Sequence, residues 1–287
     1  MATLRDIQRR ISSVKNTQTI TRAMQMVAAA KLRRAQDNAL KARPYAEKMM
    51  EVLESLSLRV SEESHPLLER REIKHERVIV ISSERGLCGA FNNNILSRTE
   101  RIIRENREGS IETSVVLVGI KARDSYKKKK EFVHKEYIDV LNNLEFILAT
   151  DIRDDIVEGY TNKEIDKVSV VYTKFVSTMR QVVTVDSLLP IEQMKVSPEE
   201  SVVDYIYEPE EERILREILP RYVEIQIFKA LLESVASEHA ARMMAMEAAT
   251  KNAGELIDSL TLSFNKARQA AITKEMLDIV GGSEALK

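Results

Sequence analysis

Apolar residues near the start of the chain recur at alternating intervals of four and three, which is the spacing of one face of an α-helix. From residue 28 the repeat is strict. It comprises Ala28, Leu32, Ala35, Ala39, Ala42, Ala46, Met49, Leu53, Leu56 and Val60. The pattern predicts a coiled-coil seam, and its many alanines allow a partner helix to approach closely.

Upstream of residue 28 two apolar stripes compete. The first keeps the rhythm of the seam and then continues on polar residues: Leu4, Ile7, Ile11, Val14, Gln18, Thr21 and Gln25. The second comprises Ile20, Met24 and Val27. A helix that is apolar over much of its circumference needs more than one partner. Further along, Pro44 is expected to bend the helix locally, because proline lacks a backbone donor.

The end of the chain repeats the same spacing. Pro209 and the acids Glu210 to Glu212 suit the start of a helix, Pro220 is expected to kink it, and Gly281 and Gly282 are expected to end it. Its seam comprises Met243, Met246, Thr250, Ala253, Ile257, Leu260, Phe264, Ala267 and Ala271.

The two seams are expected to pair with each other, antiparallel, because the chain leaves and returns through the segment between them. At about 1.5 Å per residue the last helix outruns the first by roughly 20 Å. In that overhang the apolar set changes register to Ile272, Met276, Ile279 and Val280. A lone helix with such a stripe must be covered by another protein.

The middle of the chain alternates between apolar runs and helical segments. Strands are predicted at residues 77–83, 113–119, 167–175 and 181–190, with a helix after the first strand running to about residue 107 and a basic helix after the second. The predicted fold class is therefore α/β. A Rossmann-like domain with a mostly parallel sheet (74–207) separates the two halves of an antiparallel two-helix coiled coil (1–62 and 208–287).

Charge is distributed unevenly, although the whole chain carries a net charge of only −1. Residues 1–34 hold eight Lys and Arg against one Asp, which gives 8 − 1 = +7. This favours an acidic partner. The first ten residues lack the apolar run of a signal peptide, and no stretch is apolar enough to cross a bilayer, so we expect membrane association only through a partner.

The loop at residues 82–94, SSERGLCGAFNNN, is the best candidate for enzyme chemistry, because it follows a strand and precedes a helix. It lacks the Lys-Ser/Thr pair of a phosphate-binding loop and the third glycine of a dinucleotide site. The lone Cys88 is more readily interpreted as a small buried residue, and the four histidines are scattered. We expect no catalytic residue, cofactor or metal.

Nucleic acid is also disfavoured as a partner. The basic stretch has no interleaved aromatic residue on which single-stranded bases could stack, and its helix has no adjacent parallel zipper.

Four segments of the sequence together resemble a known family. The first is Ile7 to Lys31, which includes Asn16-Thr17, Ala23-Met24 and Met26-Val27-Ala28, and the second is Gly86 to Asn92, GLCGAFN. The other two lie in the last predicted helix: ASEHAARM at 236–243 and NKARQAAITKE at 265–275. The sequence is similar to the gamma subunits of the rotary, proton-driven ATP synthase, in the bacterial form without an inserted cysteine pair.

The resemblance implies a central shaft without an active site of its own. It would turn inside a ring of alpha and beta subunits, rest with the epsilon subunit on the membrane c-ring, and lie peripherally on the cytoplasmic face of the cell membrane. The implied contacts with the acidic levers of beta and with the bearing of the head are Arg9, Arg10, Arg22, Met24, Lys31, Arg33, Arg34, Arg268, Gln269, Ile272, Thr273, Glu275, Met276 and Ile279.

Two other interpretations of the residues stay open at this point. The end helices could clamp an acidic partner in a coiled-coil adaptor that does not rotate. An enzyme could also be built on the loop at 82–92.

Overall fold

The structure is a computed structural model that describes residues 3–57, 65–191 and 211–284. The expected domain limits at 62, 207 and 208 lie outside these ranges, as do Val60, Pro209 and Glu210, and the side chains of Leu53 and Leu56 are likewise outside what is described. The elements follow the order α1 (Leu4–Ser57), β1 (His75–Ile81), α2 (Phe91–Glu108), β2 (Glu112–Val118), α3 (Ile120–Tyr126), β3 (Val133–Tyr137), α4 (Ile147–Thr161), β4 (Lys167–Phe175), β5 (Gln181–Leu189) and α5 (Glu211–Glu284).

The chain divides into two compact units. One comprises residues 1–28 and 243–287, and the other comprises residues 29–242. The division cuts through both long helices.

The first unit contains two antiparallel helical segments. Gln18 lies beside Gly254 and Thr21 lies beside Thr250, so numbers rise along α1 while they fall along α5. Burial follows the predicted seam on α5, from Met243 to Ala267. On α1 it follows the stripe that passes through Gln18, Thr21 and Gln25, whereas Ile20 and Val27 of the competing stripe are exposed.

Two expectations for the end of α5 are wrong. Ala271 is exposed and so does not belong to the seam. The helix also continues through Gly281 and Gly282 to Glu284. A glycine in a helix costs only about 1 kcal/mol relative to alanine, so it weakens a helix without necessarily ending it.

The second unit is built on a five-stranded sheet in the order β3-β2-β1-β4-β5. β1 pairs in parallel with β2 and β4, β2 pairs in parallel with β3, and β5 is antiparallel to β4. The sheet is therefore mostly parallel, as the sequence predicts.

Helices cover both faces of this sheet. Val78 and Val80 of β1 pack in one apolar cluster with Phe91 and Ile95 of α2. Successive strand residues point to opposite faces, and Arg77 of β1 reaches α4 by an ion pair with Asp155 at 3.4 Å. The α5 helix joins the same layer as α4, because Glu224 accepts a hydrogen bond from Thr150 and lies 3.7 Å from Arg153.

The four predicted strands are all present, within two residues at each end. Two elements, β3 and α4, were not predicted from the sequence. The helix after β1 was predicted almost correctly, and the basic helix after β2 is only seven residues long.

Candidate functional site

The loop after β1 uses its polar groups to hold the fold together. The hydroxyl of Ser82 donates to Val118 O at 3.0 Å and accepts from Ala122 N at 2.8 Å. The amide of Asn92 donates to Ser83 Oγ at 2.8 Å and to Cys88 Sγ at 3.2 Å. These side chains already have protein partners, so they do not form a vacant cradle for a ligand.

Cys88 is a buried thiol and not an activated nucleophile. Its side chain is 2 % exposed, and burial raises the pKa of the thiol. A reactive cysteine requires the opposite shift, because the thiolate is the nucleophile. The interpretation of Cys88 as a small core residue is confirmed.

Glu84 acts as a backbone clamp at the same edge of the sheet. Its carboxylate accepts hydrogen bonds from the amides of Ile120, Val140 and Leu141 at 3.0, 3.1 and 3.3 Å. It thereby ties the start of α3 to the loop after β3. Next to this loop, Gly119 has a backbone conformation that favours glycine, with φ at +96°. A Cβ at this position would lie 2.8 Å from Ser82 O.

The crevice in which folds of this type bind ligands contains α5 instead. Strand order reverses between β1 and β4, and ligands of doubly wound sheets bind at the carboxyl ends of the strands at such a point. Here Ser237 of α5 donates to Thr173 O of β4 at 2.8 Å, and Ser234 donates to Ile81 O of β1 at 3.5 Å. Both serines are at most 1 % exposed.

One turn further along α5, Arg242 closes over the loop after β1. Its Nη2 donates to the carbonyls of Arg85 and Gly86 at 3.1 and 3.3 Å and pairs with Glu238 at 2.6 Å. The carbonyls of the candidate enzyme loop therefore face a protein guanidinium.

Two ionisable groups of this region have pKa values shifted by burial. Burial raises the pKa of Glu238, against the opposing effects of Arg242 and Lys31. Burial lowers the pKa of His239 to about 4, and the positive charges of Arg242 and Lys31 act in the same direction. His239 is therefore neutral near pH 7 and is a packed histidine.

The paired helices of the first unit contain one polar layer. Thr21 Oγ1 and Thr250 Oγ1 are 2.8 Å apart, and Gln18 Nε2 donates to Thr250 O at 3.4 Å. Gly254 fits this layer, because a Cβ there would lie 3.1 Å from the Gln18 amide. A polar layer costs stability and fixes the register of a coiled coil.

Beyond residue 267 every described side chain of α5 is exposed up to Gly281. The apolar members are Ile272 (49 % exposed), Met276 (63 %), Leu277 (66 %), Ile279 (67 %) and Val280 (58 %). We call residues 268–281 the tip. It includes the predicted contacts Arg268, Gln269, Ile272, Thr273, Glu275, Met276 and Ile279.

The predicted cationic contacts are also exposed. These are Arg9, Arg10, Arg22, Lys31, Arg33 and Arg34, whereas Met24 is half-buried. Met26, Ile20 and Val27, which the prediction left out, are 62 %, 59 % and 57 % exposed. The sequence alone did not show which of the two apolar stripes of α1 is exposed, so it did not identify these three residues as candidate contacts.

In the described residues no helix is long and apolar enough to span a membrane, and no cluster of His, Cys, Asp and Glu suits a metal ion.

Comparison with known proteins gives consistent matches. The family described as ATP synthase matches residues 3–286. Proteins named ATP synthase gamma chain are similar over the full length of both chains, with 49 % identity in Geobacter metallireducens and 48 % in Moorella thermoacetica.

Solved structures are similar as well. A chain of the Euglena gracilis mitochondrial ATP synthase, from a structure of OSCP, F1 and c-ring, has a TM-score of 0.72 at 19 % identity and covers 99 % of this chain and 94 % of its own. A chain of the central stalk and c-ring of the Tetrahymena thermophila enzyme has a TM-score of 0.59 at 27 % identity and covers 80 % of this chain and 99 % of its own.

Proposed function

The chain belongs to the ATP synthase gamma-chain family, and on that premise we propose that it is the rotating central shaft of a proton-driven ATP synthase. Proton flow through a membrane c-ring turns the shaft, and the shaft drives the beta subunits of an alpha3-beta3 head through their binding states. The chain itself contributes no catalytic group. It acts as a peripheral subunit, with the epsilon subunit, on the cytoplasmic face of the cell membrane.

The observation that carries this proposal is the tip of α5. The tip carries five large apolar side chains at exposures of 49 to 67 %. Fully burying one such side chain contributes about 1.5–3 kcal/mol. A partner that encloses the tip in an apolar sleeve gains this energy. Apolar contact is also non-directional, so it resists turning less than fixed hydrogen bonds do.

The cationic residues of α1 support the proposal that the shaft acts on the beta subunits. Arg9, Arg10 and Arg22 are exposed, and among the described residues no salt bridge within 4.0 Å involves them. Exposed charges keep much of their field available to a partner within about 10 Å at moderate salt. Acidic levers on successive beta subunits can therefore be attracted in turn as the shaft rotates.

A triple variant tests the tip. We expect Ile272→Asp, Met276→Asp and Ile279→Asp together to lower proton-driven ATP synthesis in reconstituted vesicles about tenfold or more, because three charges enter an apolar sleeve. The control is Met179→Asp, which changes an apolar side chain that is 85 % exposed in the turn between β4 and β5. The control should keep a rate of ATP synthesis near that of the wild type. Equal rates for the triple variant and the control would contradict the proposal that an apolar sleeve encloses the tip.

An adaptor that does not rotate is the competing function. It predicts that the tagged chain does not purify with a stoichiometric ATPase, whereas the shaft predicts co-purification.

A further inference from the structure

The bonds that α5 makes in the crevice of the sheet differ in kind from the apolar part of its packing. Most of the side chains that this part of α5 buries are apolar, with Val223, Ile227 and Leu231 each 0 % exposed. Such contact opposes separation, but it is non-directional and does little to oppose sliding or turning. Hydrogen bonds weaken steeply when their angles change, so they do oppose these motions.

The two serines make their bonds to two different strands. Ser234 and Ser237 are three residues apart and so lie on the same side of the helix. Ser237 bonds to Thr173 O on β4, and Ser234 bonds to Ile81 O on β1, the neighbouring strand. Attachment to two points that are separated across the sheet fixes both the position of the helix along its axis and its rotation about that axis.

Small side chains are what permit this arrangement. Ser234, Ala236 and Ser237 are all at most 3 % exposed, so the helix backbone lies close to the carboxyl ends of the strands. A ligand would occupy this place in other doubly wound sheets. In this protein α5 occupies the crevice in place of a ligand, and the crevice holds the helix rigidly.

We infer that Ser234 and Ser237 are positioning residues that lock α5 to the α/β domain against rotation about its own axis, so that torque passes between this domain and the helix with little elastic loss. The inference rests on the proposed function as a shaft. It adds the place at which the α/β domain holds the shaft.

The test measures angular stiffness in the assembled ATPase complex. The head is held on a surface, and a bead is attached to the α/β domain through Lys128→Cys, an exposed position. Cys88 does not compete for the label, because its side chain is 2 % exposed. With rotation stalled, the variance of the bead angle reports the compliance between the domain and the head.

We expect Ser237→Ala to increase this variance and the double variant Ser234→Ala with Ser237→Ala to increase it about twofold, since each change removes one directional bond without adding bulk. Ser237→Ala should have the larger single effect, because its bond is 2.8 Å long against 3.5 Å for Ser234. The matched control is Ser263→Ala, whose hydroxyl donates only to Ser259 O of the same helix at 3.0 Å and is exposed.

The outcomes separate the role of the two serines from the proposed function as a shaft. An unchanged variance in the double variant, in a complex whose wild-type bead rotates with ATP, overturns the anchor and leaves the shaft intact. A wild-type bead that does not rotate contradicts the proposed function. A double variant with a lower unfolding temperature but wild-type variance shows that the serines only stabilise the fold, and this also overturns the anchor.

Discussion

The two halves of α5 bury their side chains to very different extents, although they belong to one helix. In the sheet-bound half, residues 215–242, burial extends around much of the helix, and Ser234, Ser237 and Arg242 bond to the sheet and its loop. In the seam half, residues 243–281, burial narrows to one stripe after residue 246 and then ceases at the tip.

The difference shows how one element can serve two purposes. A helix that is buried on several sides is held in one position, as a mechanical mount requires. A helix that is buried along one stripe leaves the rest of its circumference available to partners. Among the described residues the seam half has no buried acid or base, whereas the sheet-bound half has Glu224 and Glu238.

The largest expected contrast comes from one substitution made in both halves. Leu231→Ala removes a side chain that is 0 % exposed, and Leu262→Ala removes one that is 64 % exposed. We expect the first to lower the free energy of unfolding by about 2–5 kcal/mol, and the second to change it by less than about 0.5 kcal/mol. Urea denaturation of the full chain, followed by circular dichroism because the chain has no Trp, measures both. Equal losses would remove the distinction between the halves.

Within α5, we expect the pH dependence of stability in the sheet-bound half. The pKa of His239 is lowered to about 4, from an ordinary value near 6.5. The unfolded chain therefore binds a proton at higher pH than the folded chain does, and stability is lost as the pH falls from 6.5 toward 4. This group accounts for up to about 3 kcal/mol of that loss.

His239→Gln should remove much of the acid loss, and urea midpoints at pH 7 and pH 5 measure it. Three other groups must be considered. Burial also lowers the pKa of His65, which adds loss of the same sign, and burial raises the pKa values of Glu233 and Glu238, which has the opposite sign. His75→Gln, at a side chain that is 47 % exposed, serves as the control. An unchanged acid loss in His239→Gln would contradict the burial of a neutral imidazole.

The smallest expected effect concerns the polar layer of the seam. Thr21→Val or Thr250→Val alone leaves one part-buried hydroxyl without its cross-helix partner and should cost about 1 kcal/mol. The double variant removes both hydroxyls and should cost less than the sum of the two single changes. A double-mutant cycle measures this difference. Additive losses would show that the 2.8 Å contact contributes no coupling.

Periodic and strongly apolar segments could be predicted from the sequence. The seam positions of α5 from Met243 to Ala267 follow from spacing alone, and four strands follow from runs such as residues 77–83, since their burial requires continuous apolar character. Strand β3 could not be found in this way. Its five residues, VHKEY, have no fully buried side chain, so little apolar signal marks this edge strand.

The bonds of α5 in the crevice could not be predicted from the sequence, for a different reason. Ser234 and Ser237 are ordinary helix residues in the sequence, and their role depends on carbonyl groups 153 and 64 residues away, respectively. Small residues within a helix that is otherwise rich in large apolar side chains were the available signal. The end of α5 was predicted wrongly because glycine was treated as a stop without a capping geometry to support it.

Imaging of the complex purified through a tag on this chain would show whether this helix pair turns inside a larger assembly. We expect a ring of alternating subunits with residues 268–279 of this chain at its centre, in three rotational classes about 120° apart, as a threefold ring implies. A chain attached to the outside of the assembly, or one found in a single fixed orientation during ATP turnover, would contradict it.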